Sequence, residues 1–86
     1  MQGVHLYGGQ GKYLAVYHDP AQSENQQSKV CGYRLMEAPG RSAVKWGESR
    51  RQILEGVLDN FGQSVRFAEL PHDFQEAVLD DLIILH

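Results

Sequence analysis

Two runs near the start of the chain, Val4–Tyr7 (VHLY) and Lys12–His18 (KYLAVYH), are rich in β-branched and aromatic residues. Between them lies Gly8-Gly9-Gln10-Gly11, a four-residue connection in which glycine supplies the positive φ angles of a hairpin turn. Pairing Tyr7 with Lys12 sets His5 opposite Leu14 and Val4 opposite Ala15. One side of the hairpin then carries Val4, Leu6, Tyr13, Ala15 and Tyr17 and is expected to face the core. The other carries His5, Tyr7, Lys12, Leu14, Val16 and His18, a mixed set expected to face water. Asp19–Lys29 is polar and aperiodic and reads as a loop. Val30–Glu37 follows as a third strand, with Cys31, Tyr33 and Leu35 pointing inward and Gly32, Arg34 and Met36 outward. Pro39-Gly40 marks a turn, and Ala43–Trp46 forms a short fourth strand with Val44 and Trp46 inward and Lys45 outward.

The period then changes. From Glu48 the apolar residues Ile53, Leu54, Val57, Leu58 and Phe61 fall one, three and four apart, the spacing of one helix face, and Gly62 ends that helix. Ser64–Phe67 adds a short extended segment. Pro71 suits the first turn of a second helix, with Asp73 and Glu76 favourable at its positive end and Phe74, Ala77, Val78, Leu82 and Leu85 as its main apolar stripe. The pattern predicts a single α+β domain over residues 1–86. An antiparallel meander of three or four strands (1–47) is followed by two C-terminal helices (48–86) packed on one sheet face. Its expected core is Leu6, Tyr13, Ala15, Tyr17, Tyr33, Leu35, Val44, Trp46, Leu54, Val57, Leu58, Phe61, Phe74, Val78 and Leu82.

Charge adds an asymmetry to this picture. Residues 1–52 carry seven Lys/Arg against four Asp/Glu, and residues 53–86 carry one against seven, so a mildly basic part precedes a strongly acidic one. At 42% apolar and 22% charged residues the chain is of ordinary globular composition. A lone cysteine, Cys31, rules out an internal disulfide framework and fits a reducing compartment. No signal peptide or membrane span is evident, so the expected location is cytoplasmic.

No arrangement of residues demands a particular chemistry. Gly8–Lys12 superficially suggests a phosphate loop, but that motif needs Gly-Lys-Ser/Thr opening onto a helix, and here Tyr13 and a strand follow. His5, His18, Cys31, His72 and His86 contain no closely spaced ligand pair, and His5 and His18 are expected at opposite ends of the hairpin. Cys31 is expected as an inert core thiol. Asp80 and Asp81 point about 100° apart on a helix and cannot share a proton, whereas Asp73, Glu76 and Asp80 lie on one face. These readings leave no catalytic, cofactor or metal site, and the chain is expected not to be an enzyme.

Two surfaces remain. Leu82-Ile83-Ile84-Leu85 is apolar throughout, which requires burial on both sides, a change to strand, or cover from another chain. Leu79 and Ile83 form a second apolar ridge beside the acidic stripe. Asp73, Glu76, Leu79, Asp80 and Ile83 are therefore the expected binding surface for another protein with a basic surface, or for a second copy of the chain. This is the mode of a small regulator, adaptor or inhibitor, such as phage or plasmids carry. A nucleic-acid-binding module is the alternative. It would use the outer sheet face, with Tyr7, Lys12, His18, Arg34 and Lys45, extended by Arg50 and Arg51.

Overall fold

The computed structural model describes residues 3–9, 11–18, 30–38, 40–47 and 63–85. Within them the elements are β1 (Val4–Gly9), β2 (Lys12–His18), β3 (Val30–Ala38), β4 (Arg41–Trp46), β5 (Gln63–Ser64), a 3-10 turn (Phe67–Glu69) and α1 (His72–Leu85). The strands form one antiparallel sheet in the order β4-β3-β2-β1-β5. The fold is α+β, as expected, with a strand more than the meander required. The fifth strand is the two-residue β5, which pairs with Tyr7 and Gly8 of β1. The helix expected over Glu48–Phe61, with its core residues Leu54, Val57, Leu58 and Phe61, lies outside the described residues.

The hairpin is tighter than the glycines suggested. Tyr7 pairs with Leu14 and Gly9 with Lys12, so Gly8 and Gly9 belong to the strand and two residues remain between the strands. Gly11 there has φ 77°, a left-handed backbone that glycine adopts without a steric cost. The register differs from expectation by two residues. Because side chains alternate with period two, the faces are unchanged. Val4, Leu6, Ala15 and Tyr17 are buried together, with Tyr13 packed against them.

On β3 the expected faces are exchanged. Ala15 pairs with Arg34 and Tyr13 with Met36, which brings Arg34 and Met36 to the inner side and Tyr33 and Leu35 to the outer one. Each alternating set of β3 mixes apolar and polar residues, so strand periodicity alone does not choose between them. The close packing at Gly32 does. A side chain there would collide with the Lys45 carbonyl and the Trp46 ring, so Gly32 lets Trp46 lie across β3 onto the Tyr17 ring, with centroids 5.4 Å apart. Trp46 itself is not core. It is 40% exposed, at the end of β4, an edge strand among the described residues. Nor is the outer face simply wet, since Leu14 and Val16 are buried there beside half-buried Tyr7, Tyr33 and Leu35.

Helix α1 starts directly after Pro71, where a missing N–H costs nothing. The Gln75 amide secures the entry by donating to the Phe67 and Leu70 carbonyls at 3.1 and 3.0 Å. Phe74, Val78 and Leu82 then recur at helical spacing and pack with Leu70 against the inner sheet face. Burying each stabilises the fold by roughly 1.5–3 kcal/mol. None of the described helices is long and apolar enough to cross a membrane.

Candidate interaction surface on the C-terminal helix

Helix α1 is held in one rotation by a buried polar network as well as by its apolar stripe. Asp81 is seven residues, two turns, after Phe74, and so lies on the buried side, 2% exposed. The Tyr17 hydroxyl and the Arg34 Nε both donate to its Oδ2, and Arg34 Nη2 donates to its Oδ1 at 2.9 Å. Arg34 Nη1 donates to Ser42 Oγ at 2.8 Å, which ties β4 into the same network. Among the described residues no buried side-chain polar atom lacks a partner. A two-pronged guanidinium–carboxylate pair fixes orientation as well as adding energy. The network therefore sets which side of α1 faces away from the sheet.

Burial, and then the hydrogen bond to Asp81, push the Tyr17 hydroxyl well above its ordinary pKa of 10. The Asp81 hydrogen bond likewise raises Arg34, against the opposing effect of its own burial. Because Tyr17 keeps its proton in the folded chain while the unfolded chain loses it above about pH 10, its stabilising contribution is complete below that pH and fades above it. Urea midpoints measured from pH 8 to 11 are expected to fall more steeply for the wild type than for Tyr17→Phe. Parallel curves would contradict this assignment.

The far side of α1 is exposed and unusual in composition. Asp73, Glu76 and Asp80 occupy it in one stripe, and the helix contains no Lys or Arg. Apolar residues flank the stripe on both sides: Leu79, 44% exposed, and Ile83, 75% exposed, on one edge, and Ile84, 72% exposed, on the other. The run Leu82–Leu85 is helical, so its four apolar residues divide between faces, with Leu82 buried and Ile83 and Ile84 outward. Ile84 was not singled out from the sequence, although at 100° per residue it falls just beyond Asp80. His72 pairs with Glu76 at 3.2 Å at the open N-terminal end.

The structure divides the residues expected on a nucleic-acid face. Tyr7, Lys12 and Lys45 are on the outer sheet face with His18, but Arg34 is on the opposite face in its pair with Asp81. Arg50 and Arg51 lie outside the described residues. His5 and His18 are not at opposite ends of the hairpin. The true register makes them diagonal neighbours, and their rings meet edge to face at 4.5 Å. Among the described residues no three His, Cys, Asp or Glu side chains converge as metal ligands would. No family model, curated protein or solved structure matches this chain.

Proposed function

We propose that the chain is a non-enzymatic interaction protein, a small regulator or inhibitor of the cytoplasm, that binds a basic protein surface through the far side of α1. The observation that carries this reading is the pair Ile83 and Ile84, about three-quarters exposed, bracketing three carboxylates that have no Lys or Arg on their helix. A lone helix on a monomer normally turns such residues inward. Here the inward side is already filled by Phe74, Val78, Asp81 and Leu82, so rotating α1 would bury the acids and break the Arg34 pair. Apolar patches beside charge are a usual form of protein interface, with the apolar part supplying affinity and the charge supplying choice of partner and rate of encounter.

The partner's complement is a shallow apolar groove rimmed by Lys or Arg. A photo-crosslinking residue placed at position 84 is expected to capture one such partner. That capture is expected to weaken with salt and to disappear in Leu79→Lys/Ile83→Lys. The same residue placed at position 45, on the opposite sheet face, is expected not to capture it. Equal capture from both positions, or capture that survives the lysine substitutions, would refute the assignment.

A further inference from the structure

A second concave surface lies on the outer face of the sheet, across β3 and β4 and away from α1. It encloses about 500 Å³ and is lined by Tyr33, Leu35, Glu37, Arg41, Ala43 and Lys45. Tyr33 and Lys45 are cross-strand partners, as are Leu35 and Ala43. The floor is thus one aromatic ring beside an aliphatic residue and a small one. Arg41 and Lys45 stand at the two ends of the β4 side. Neither takes part in an ion pair among the described residues, whereas Arg34, which lies between Tyr33 and Leu35 in the strand, is engaged on the other face.

We infer that this groove binds a short single-stranded nucleic acid, with a base stacked on Tyr33 and phosphates at Arg41 and Lys45. Four residues along a strand separate the two cations by about 13 Å. One nucleotide does not bridge that span, but a run of a few nucleotides does. A ring beside one cation, with a second cation further along the strand, suits a single strand, because its base faces are free to stack, whereas those of a duplex are already paired and stacked. The acidic side of α1 opposes this at one end only: Asp73 reaches the β3–β4 turn, its Oδ2 3.8 Å from where a side chain on Gly40 would begin, so a phosphate at the neighbouring Arg41 is held less firmly than one at Lys45. Glu37, at the end of the groove, repels a phosphate and accepts from the exocyclic amino group of a base, so it sets where the strand runs.

The test is the fluorescence anisotropy of a labelled oligothymidylate titrated with the full chain at several salt concentrations. Binding is expected at low salt. Arg41→Ala and Lys45→Ala are each expected to flatten the log–log salt slope by about 0.7, the value for one single-strand phosphate contact. Tyr33→Ala is expected to weaken binding roughly fivefold to a hundredfold and Tyr33→Phe to leave it within about twofold, since the ring alone stacks. Glu37→Gln is expected to tighten it. All these side chains are exposed or half-buried, so unchanged urea midpoints provide the folding control. Absence of binding at low salt would overturn the inference, as would salt slopes indifferent to Arg41 and Lys45. So would equal competition by thymidine monophosphate, by duplex DNA or by an acidic peptide of matched charge.

Discussion

Asp81→Ala is expected to destabilise the fold by about 3–5 kcal/mol, nearer the lower figure because Arg34 retains some access to water. The loss exceeds the worth of any one hydrogen bond. Removing the carboxylate strands the Arg34 guanidinium and the Tyr17 hydroxyl in a layer where each has been desolvated, and it is the unpaired group that is costly. A domain of this length has a total stability of only about 4–13 kcal/mol, so the variant is expected to populate unfolded chain at room temperature. The same reasoning predicts a rescue. Tyr17→Phe/Arg34→Met/Asp81→Leu removes the three groups that meet at the carboxylate, leaving only the half-buried Ser42 hydroxyl, and is expected to recover most of the lost stability, because apolar residues of similar volume replace the pair without a desolvation penalty. Urea unfolding followed by fluorescence of Trp46, the chain's only tryptophan, which stacks on Tyr17, measures both. A triple variant no more stable than Asp81→Ala would show that the network's geometry, rather than its internal pairing, is what the fold requires.

Phe74→Ala is expected to cost about 3–5 kcal/mol. The ring is fully buried where the first turn of α1 meets the sheet, with the Tyr13 ring 6.3 Å away. The sheet beneath it is fixed on both sides by backbone pairing and cannot settle into the space. Leu79→Ala, one and a half turns further along the same helix but on its exposed side, is expected to change stability by less than about 0.5 kcal/mol. The contrast between the two, read from urea midpoints, separates the face that holds the helix from the face proposed to bind. Comparable losses would mean that both faces serve the fold.

Much of this arrangement was legible in the residues themselves. The face of β1 and β2 followed from alternation and survived a two-residue error in register, because that error is a whole period. The start of α1 was marked by Pro71, and its stripe of Phe74, Val78 and Leu82 by spacing alone. What escaped was whatever depends on distant partners. Asp81 sits at a buried helical position, and that alone was a clue, but Arg34 and Tyr17 are 47 and 64 residues away in the chain. A charged residue read without its partner is assigned to solvent. Arg34 was placed on the outer face for that reason, and its neighbours Tyr33 and Leu35 were then placed inside. The groove over β3 and β4 was hidden by the same exchange, since it exists only with Tyr33 and Leu35 outward. The exposed acids and apolar edge of α1 were seen because an amphipathic helix with surplus apolar residues announces itself locally.

The proposed interface requires the far side of α1 to be open to solvent in the isolated chain. Methyl-resolved NMR with a soluble paramagnetic agent measures this directly at Ile83 and Ile84, with the Val78 and Leu82 methyls as buried references. At low protein concentration the two isoleucines are expected to broaden strongly while Val78 and Leu82 stay sharp. Ile83 and Ile84 protected to the same degree as Val78 in the dilute monomer would mean that the chain covers this surface itself, and the proposed interface would not exist.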